Sequence, residues 1–294
     1  MSVYPWHEPM LERMRWLRGA DQLPNAIALT CGPGWGLDNL LQHVALTLLE
    51  ADTGLAMDEF AHPDFRWVVP DGSVLKIDQI RRINEFAVQT AQMAPRKVVA
   101  LLNAHQLNPA AANALLKTLE EPPSDTHLLL ATPSWGTLLP TIRSRCQRFD
   151  SGQNQAAAQA WLAEQGLEVT DALYEECGRA PLTVAQELSG DGIEVSAWLA
   201  EVAHGNFGAA VDQALKQDVV ALLSRWYRRL IMHLQGQAIP GIAAQGRLVV
   251  EFADEVLDAR RQLETTNGAN ARLHLERLIV RWLKLSAAAA RGRA

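Results

Sequence analysis

The residues best suited to chemistry form a glycine-rich loop near the N-terminus, within the stretch LTCGPGWGLDNLLQHVA at positions 29–45. A phosphate-binding loop, G-x-x-x-x-G-K-[S/T], surrounds phosphates with backbone N–H groups, neutralises their charge with Lys and ligates magnesium through Ser or Thr. The glycines of this loop are Gly32, Gly34 and Gly36. With Gly36 as the second glycine of the pattern, Leu37 replaces the Lys and Asp38 replaces the Ser or Thr. The loop therefore keeps the glycines and lacks two of the three chemical groups.

An active ATPase of this kind also needs a strand that ends in carboxylates, which hold the metal and activate water. The candidate strand, KVVALLN at 97–103, ends in Leu102 and Asn103 and has no acid there. Asp38 would also set a negative charge beside a bound triphosphate, a repulsion of about 1 kcal/mol or more. We therefore predict a tight turn that joins a strand to a helix, and no active ATP site.

A second candidate group is basic. Arg143, Arg145 and Arg148 lie within six residues that follow the sequence LLP. Pro140 suits the first turn of a short helix that begins near it. A cluster of charges is most often a solvated helix end, so the residues alone leave the role of these arginines open.

Metal and disulfide chemistry has little support in the sequence. The three cysteines, Cys31, Cys146 and Cys177, are far apart and form no C-x-x-C pair, which fits reduced thiols in a cytoplasm. His62 precedes Pro63 and Asp64 but has no partners at ligand spacing. We expect no metal and no cofactor.

The elements that must position these groups alternate between strands and helices in the first half of the chain. Strands are predicted at 26–31, 65–70, 97–103 and 127–132, and helices at 37–52, 77–91 and 109–121. This alternation predicts an α/β fold in which helices cover a parallel sheet. After Phe149 the pattern is helical throughout. We predict an α/β domain at 1–150, a small helical domain at 151–195 and a helical bundle at 196–294.

The composition is that of a soluble globular protein, with 294 residues, 48% hydrophobic and 20% charged. The net charge of −6 argues against a stand-alone DNA-binding protein. The N-terminus lacks a basic-then-apolar leader, and no apolar run is long enough to span a bilayer. We expect a cytoplasmic protein.

A longer constellation of residues carries a family resemblance. It is NPAAANALLKTLEEPPSDTHLLLATPSWGTLLPTIRSRCQRF at 108–149, supported by HPDFRWV, IDQIRRI and the late QLETTNGANARLHLERLIVRWL. These stretches closely resemble the clamp-loader branch of the AAA+ proteins, as found in bacterial DNA polymerase III. The resemblance covers most of the chain and is weakest at 1–20 and at about 150–250.

The resemblance implies a RecA-like AAA+ domain, a helical lid and a helical collar domain that joins subunits. It also gives the arginines a role, because the family pattern Ser-Arg-Cys falls on Ser144, Arg145 and Cys146. In that family the arginine reaches into the ATP site of the neighbouring subunit as an arginine finger. Arg145 is then the trans-acting residue, and Ser144 and Cys146 support its helix by capping and packing.

Two other family positions bear on nucleotide binding. Thr132 matches the polar residue that senses the γ-phosphate in active relatives, and Pro181 stands where the lid carries a sensing arginine, with Arg179 close but out of register. Many relatives also insert a four-cysteine zinc module after the first helix, but the stretch EADTGLAMDEFAHPDF has no Cys. The lid sensor and the zinc module are both expected to be absent.

The function that the resemblance implies is that of a stator subunit, which helps to load the sliding clamp on primed DNA during replication. The expected partners are the gamma/tau ATPase subunits, the delta subunit, the clamp and primer–template DNA, with no membrane. The chain would belong to a DNA-directed DNA polymerase, a nucleotidyltransferase, without an activity of its own. The alternative is an AAA+ ATPase that binds ATP through a non-standard phosphate loop.

Overall fold

The computed structural model describes residues 2–51, 56–72, 74–189, 193, 195–234, 246–265 and 269–291. The chain forms two compact units, Met1–Glu164 and Gln165–Ala294. Residues 52–55, in the stretch without cysteines, lie outside the described part of the chain. Each unit is described by itself below.

Five strands of the first unit form one parallel sheet within the described residues. They are β1 (Ala26–Thr30), β2 (Phe65–Val68), β3 (Lys97–Leu101), β4 (Thr126–Thr132) and β5 (Gln147–Asp150). The order across the sheet is β2-β3-β4-β1-β5. The predicted α/β fold with a parallel sheet is therefore confirmed.

Six helices accompany this sheet in the described part of the first unit. They are α1 (Glu8–Gly19), α2 (Leu37–Leu49), α3 (Ile77–Ala87), α4 (Pro109–Glu120), α5 (Pro140–Arg143) and α6 (Gln155–Glu164). Side chains alternate between the two faces of a strand, and both faces are buried here. Ala28, Val99 and Leu128 pack with Ile83 of α3 and Leu115 of α4 in one cluster. The alternate side chains of these strands are also buried, and α2 contacts β3 and β4.

Strand β5 was not among the predicted strands. Its sequence, QRFD, has one buried side chain, Phe149, between exposed neighbours. It pairs with β1 from Ile27 opposite Gln147 to Thr30 opposite Asp150. The strand therefore depends on pairing with a distant partner, which no local apolar run signals.

The segment between α3 and β3 is held by two buried charged side chains. Lys97 Nζ donates to the carbonyls of Phe86, Ala87 and Gln89, and so caps the end of α3. The Asp64 carboxylate accepts backbone N–H bonds from residues 92, 93 and 94 at 2.7, 2.7 and 2.8 Å. Burial alone would raise the pKa of Asp64, but these three donors outweigh it and hold the pKa below its usual value. The predicted helix therefore ends at Ala87, four residues before the predicted end.

All secondary-structure elements among the described residues of the second unit are helices. Its helices are α7 (Asp171–Glu176), α8 (Pro181–Leu188), α9 (Val195–Ala203), α10 (Phe207–Leu215), α11 (Val219–Leu234), α12 (Arg247–Thr265) and α13 (Ala271–Arg291). Trp226 lies at the centre of the core, with ring centroids 5.3 Å from Trp198, 5.3 Å from Phe252 and 5.8 Å from Trp282. Such edge-to-face contacts suit aromatic quadrupoles. Across the described chain, no helix combines the length and apolar character that crossing a membrane requires.

Candidate functional site

The glycine loop joins β1 to α2 at the carboxyl end of the sheet. Gly34 and Gly36 have backbone φ values of +73° and +79°, which residues with a Cβ atom rarely adopt. Gly36 is the N-cap of α2, Leu37 is its first residue, and the exposed Asp38 lies in its first turn. A helix N-terminus favours negative charge, and here the chain's own carboxylate takes that place.

The loop is covered by the N-terminal segment, which the sequence reasoning did not single out. Trp6 and Trp35 are each 1% exposed, and Trp6 Nε1 donates to the carbonyl of Trp35 at 2.9 Å. Tyr4 stacks on Trp6 at 4.8 Å, and Trp161 of α6 meets Trp6 edge-on at 5.5 Å. We call these four side chains, Tyr4, Trp6, Trp35 and Trp161, the aromatic cover. The only sequence signals for it are the aromatic run YPWH and the Trp within GPGWG.

Behind the aromatic cover lies a buried histidine. His7 is fully buried, and its Nε2 lies 3.7 Å from Cys31 Sγ. Burial lowers the pKa of His7 to about 4 and raises the pKa of the Cys31 thiol to about 11. Both groups are therefore uncharged at neutral pH, and this side of the glycine loop offers no cation to a phosphate.

The described residues at the carboxyl ends of β3 and β4 include no carboxylate. Asn103 follows β3 with φ +55° and is the N-cap of a short 3-10 turn at Ala104–Gln106. The buried Thr132 hydroxyl pairs with Thr137 Oγ1 at 2.9 Å and reaches the Ser134 carbonyl at 3.2 Å. The hydroxyl at the sensor position is thus engaged within its own turn.

A cleft of about 640 Å³ opens where β1, β4 and β5 end. Ligands of open α/β sheets bind at such positions. Arg148 is the one cation among the described lining residues, and it pairs with the Asp150 carboxylate of the same wall. Gly32 and Gln153 both line the cleft, and a Cβ at Gly32 would come within 2.9 Å of Gln153 Nε2. The cleft is polar but carries no surplus of positive charge for a triphosphate.

Arg145 follows α5 by two residues, and its side chain is 31% exposed. Its Nε donates to Glu120 Oε1 at 2.8 Å, and its Nη2 also bonds Glu120. Its Nη1 donates to the Thr141 carbonyl at 2.9 Å and to Ser144 Oγ at 3.2 Å. The guanidinium is therefore turned back onto its own chain.

The flanking residues are fixed locally. Ser144 Oγ donates to the Thr141 carbonyl at 3.1 Å, within the last turn of α5. Cys146 packs against the sheet core, and burial raises the pKa of its thiol to about 12. Arg143 is the last residue of α5, whereas Arg148 lies in β5 with its guanidinium 5.8 Å from the Trp135 ring centroid. The three arginines thus lie in different settings and do not form one basic patch.

The remaining residues that the sequence singled out are Pro181, Arg179 and His62. Pro181 is the first residue of α8, and Arg179, at φ +56°, pairs with Glu175. His62 Nδ1 accepts the backbone N–H of Asp64 at 3.1 Å. Among the described residues, no three His, Cys, Asp or Glu side chains are grouped closely enough to hold a metal ion.

Comparisons with known proteins agree with this fold. A family model described as "DNA polymerase III, delta subunit" matches residues 43–154. A DNA polymerase III subunit delta' from Pseudomonas aeruginosa is 31% identical, covering 97% of this chain and 98% of its own length. The subunit delta' of Escherichia coli is 28% identical, covering 96% of this chain and 95% of its own length.

Solved structures support the same architecture. A DNA polymerase III gamma subunit-related protein from Thermotoga maritima superposes with a TM-score of 0.62 at 20% identity, over 94% of this chain and 99% of its own. At that identity the likeness bears on the fold alone. The resemblance to clamp-loader AAA+ proteins, read from residues 108–149, is confirmed by the relatives of nearly full length. The chain belongs to the delta-prime subunit family of bacterial DNA polymerase III.

Proposed function

We propose that this chain is a non-hydrolysing subunit of the DNA polymerase III clamp loader, and that it helps to place the sliding clamp on primed DNA. Its partners would be the gamma/tau ATPase subunits and the delta subunit, with the clamp and primer–template DNA met through the complex. The names of the two relatives of nearly full length support this role. The chain would contribute to a DNA-directed DNA polymerase without a transferase activity of its own.

The observation that carries the non-hydrolysing role is the state of the glycine loop. Leu37 and Asp38 stand where Lys and Ser/Thr would act, and Trp6 packs against Trp35 of the loop, with both side chains buried. A triphosphate needs backbone N–H groups and a cation to offset its charge. The aromatic cover and the uncharged His7 supply neither.

Arg145 would act in trans as the arginine finger. It lies at an exposed helix end next to Ser144, which bonds both the α5 turn and the guanidinium. Cys146 anchors the following turn by packing against the core. An arginine so placed can meet the phosphate of a neighbouring subunit with two N–H groups, as arginine fingers do.

The division into an AAA+ domain at 1–150, a lid at 151–195 and a collar at 196–294 belongs to the same proposal. The collar would join this chain to its neighbours. The aromatic core around Trp226 gives the helices of 196–294 a common interior, which is consistent with one folded bundle.

The experiment that tests the proposal replaces Arg145 by Ala in a clamp loader reconstituted with the gamma/tau and delta subunits. Assembly should be normal, while ATP turnover stimulated by clamp and primed DNA should fall. ATP turnover by the Arg145→Ala complex equal to that of wild type would refute the assignment of Arg145 as an arginine finger.

The second candidate function is an ATPase with a non-standard loop, favoured only by the glycines and the cleft of about 640 Å³. Calorimetric titration of the purified chain with ATP and magnesium separates the two. We expect no heat of binding at micromolar ATP, because the loop lacks its cation. A micromolar Kd would replace the proposed role with this alternative.

A further inference from the structure

The finger proposed above is not free in this structure, because Glu120 holds it. An arginine side chain carries five N–H donors. Four of them are engaged, by Glu120, by the Thr141 carbonyl and by Ser144 Oγ. One Nη2 hydrogen is left without a partner among the described residues. Arg145 therefore cannot offer a paired set of donors to a phosphate while it stays on Glu120.

The pair joins two elements that the core fixes in place. Glu120 is the last residue of α4, and Arg145 follows the end of α5 by two residues. Leu119, which precedes Glu120, and Ile142 of α5, three residues before Arg145, are buried in the same core cluster. The separation of the two backbones is thus set by packing, so the side chains are free to part without disturbing the helices.

The position of Glu120 is unfavourable without the arginine. The C-terminus of a helix carries partial negative charge and favours cations. A glutamate at the last position of α4 is stabilised there by a neighbouring cation, and Arg145 forms an ion pair with it, in addition to Lys117 in the same last turn. If the Arg145 side chain moved away, the Glu120 carboxylate would lose this ion pair, and that loss favours the return of Arg145.

We propose that Glu120 is a positioning residue, a latch that keeps Arg145 folded back until a neighbour's ATP phosphates compete for the guanidinium. The latch rests on the proposed function, since it acts through the finger. Carboxylate and phosphate are alternative partners for the same bidentate face of arginine. The pair is partly exposed, with Arg145 31% and Glu120 49% accessible, so the exchange costs little and can reverse.

The test is Glu120→Gln in the reconstituted complex, with turnover measured against ATP concentration. Gln keeps an acceptor but loses the charge, so the ATP concentration for half-maximal turnover should fall roughly two- to five-fold, the range of an exposed ion pair. The maximal rate should stay unchanged, because the finger itself is intact. The matched control is Glu121→Gln, which removes the same charge from the adjacent exposed residue and should leave the half-saturating ATP concentration as it is.

Further variants separate the latch from the finger. In an Arg145→Ala background, adding Glu120→Gln should change nothing, since the latch has no arginine to hold. If Arg145→Ala lowers turnover but Glu120→Gln does not lower the half-saturating ATP concentration, the latch is wrong and the finger stands. If Glu120→Gln instead lowers the maximal rate, Glu120 supports the active geometry and the latch is also wrong. If the Arg145→Ala complex kept the wild-type ATP turnover, the proposed trans-acting function itself would be refuted.

Discussion

Among single residues, His7 makes the folding stability of the first unit depend on pH. Its pKa is lowered by burial to about 4, whereas an unfolded chain returns it to about 6.5. Below pH 6.5 the unfolded state therefore binds more protons than the folded state, so stability is complete above that pH and is lost as the pH falls towards 4. This pH dependence of stability is opposite in sign to that of a histidine with an anionic partner, whose stabilising effect is lost as the pH rises.

The corresponding prediction concerns the variant His7→Gln. Between pH 7 and pH 5 the wild-type chain should lose about 2 kcal/mol more unfolding free energy than the variant, because Gln does not titrate. Urea unfolding followed by tryptophan fluorescence at both pH values measures this difference. His105 and His127 also have pKa values lowered by burial. The effect of His7 is therefore the difference between the losses of unfolding free energy in wild type and in His7→Gln. Equal losses in both proteins would show that His7 is solvated.

Arg145 shows how much a single residue depends on its surroundings. The motif Ser-Arg-Cys identifies it from sequence, but its hydrogen bonds to Glu120 could not be predicted from that motif. The two residues are 25 positions apart, and they meet only because α4 and α5 pack together. The motif therefore predicts which residue acts, and the fold determines what restrains it.

At the scale of elements, the N-terminal segment and α2 act together. Tyr4 N donates to Asn39 Oδ1 at 3.5 Å and Asn39 Nδ2 donates to the Ser2 carbonyl at 3.1 Å, so the start of the segment is attached to α2. The segment fixes the glycine loop in one shape. On the proposed function, the segment would take the place of the contacts that a bound nucleotide makes with such a loop.

This leads to a prediction for Trp6→Ala. Truncation of a fully buried tryptophan should cost about 3–5 kcal/mol of unfolding free energy, and the Trp35 carbonyl loses its donor. The control is Trp16→Ala in α1, where the side chain is 65% exposed and the cost should stay within about 0.5 kcal/mol. Chemical denaturation of both variants measures the costs. A loss below 1 kcal/mol in Trp6→Ala would mean that the segment does not hold the loop.

At the scale of the whole molecule, the sequence predicted the sheet better than the site. The strands β1, β3 and β4 are apolar runs buried on both faces, and such runs stand out locally. The missing Lys and carboxylate were also evident from spacing alone. The aromatic cover was not, because Trp6 and Trp35 are 29 positions apart and their contact depends on how the N-terminus folds over the sheet. Strand β5 was missed for the same reason.

The proposed function would explain why a chain without its own ATP hydrolysis retains an ATPase architecture. The sheet order β2-β3-β4-β1-β5 puts the ends of β1, β4 and β5 around one cleft. The packing of α4 against α5 places Arg145 just after the end of α5, where its side chain is partly exposed. On this proposal the architecture would serve a neighbouring subunit, while Trp6 packs against Trp35 of its own glycine loop.

The most direct test of this account is ATP turnover by a clamp loader assembled with Arg145→Ala, beside one assembled with Arg15→Ala. Arg15 is a surface arginine of α1 that pairs with Glu8, so it controls for the loss of an ion-paired charge. We predict that both complexes assemble, and that Arg145→Ala slows hydrolysis at the adjoining ATP site by roughly a thousandfold or more, which lowers the stimulated turnover, while Arg15→Ala keeps the wild-type rate. Stimulated turnover by the Arg145→Ala complex equal to that of wild type would contradict the account.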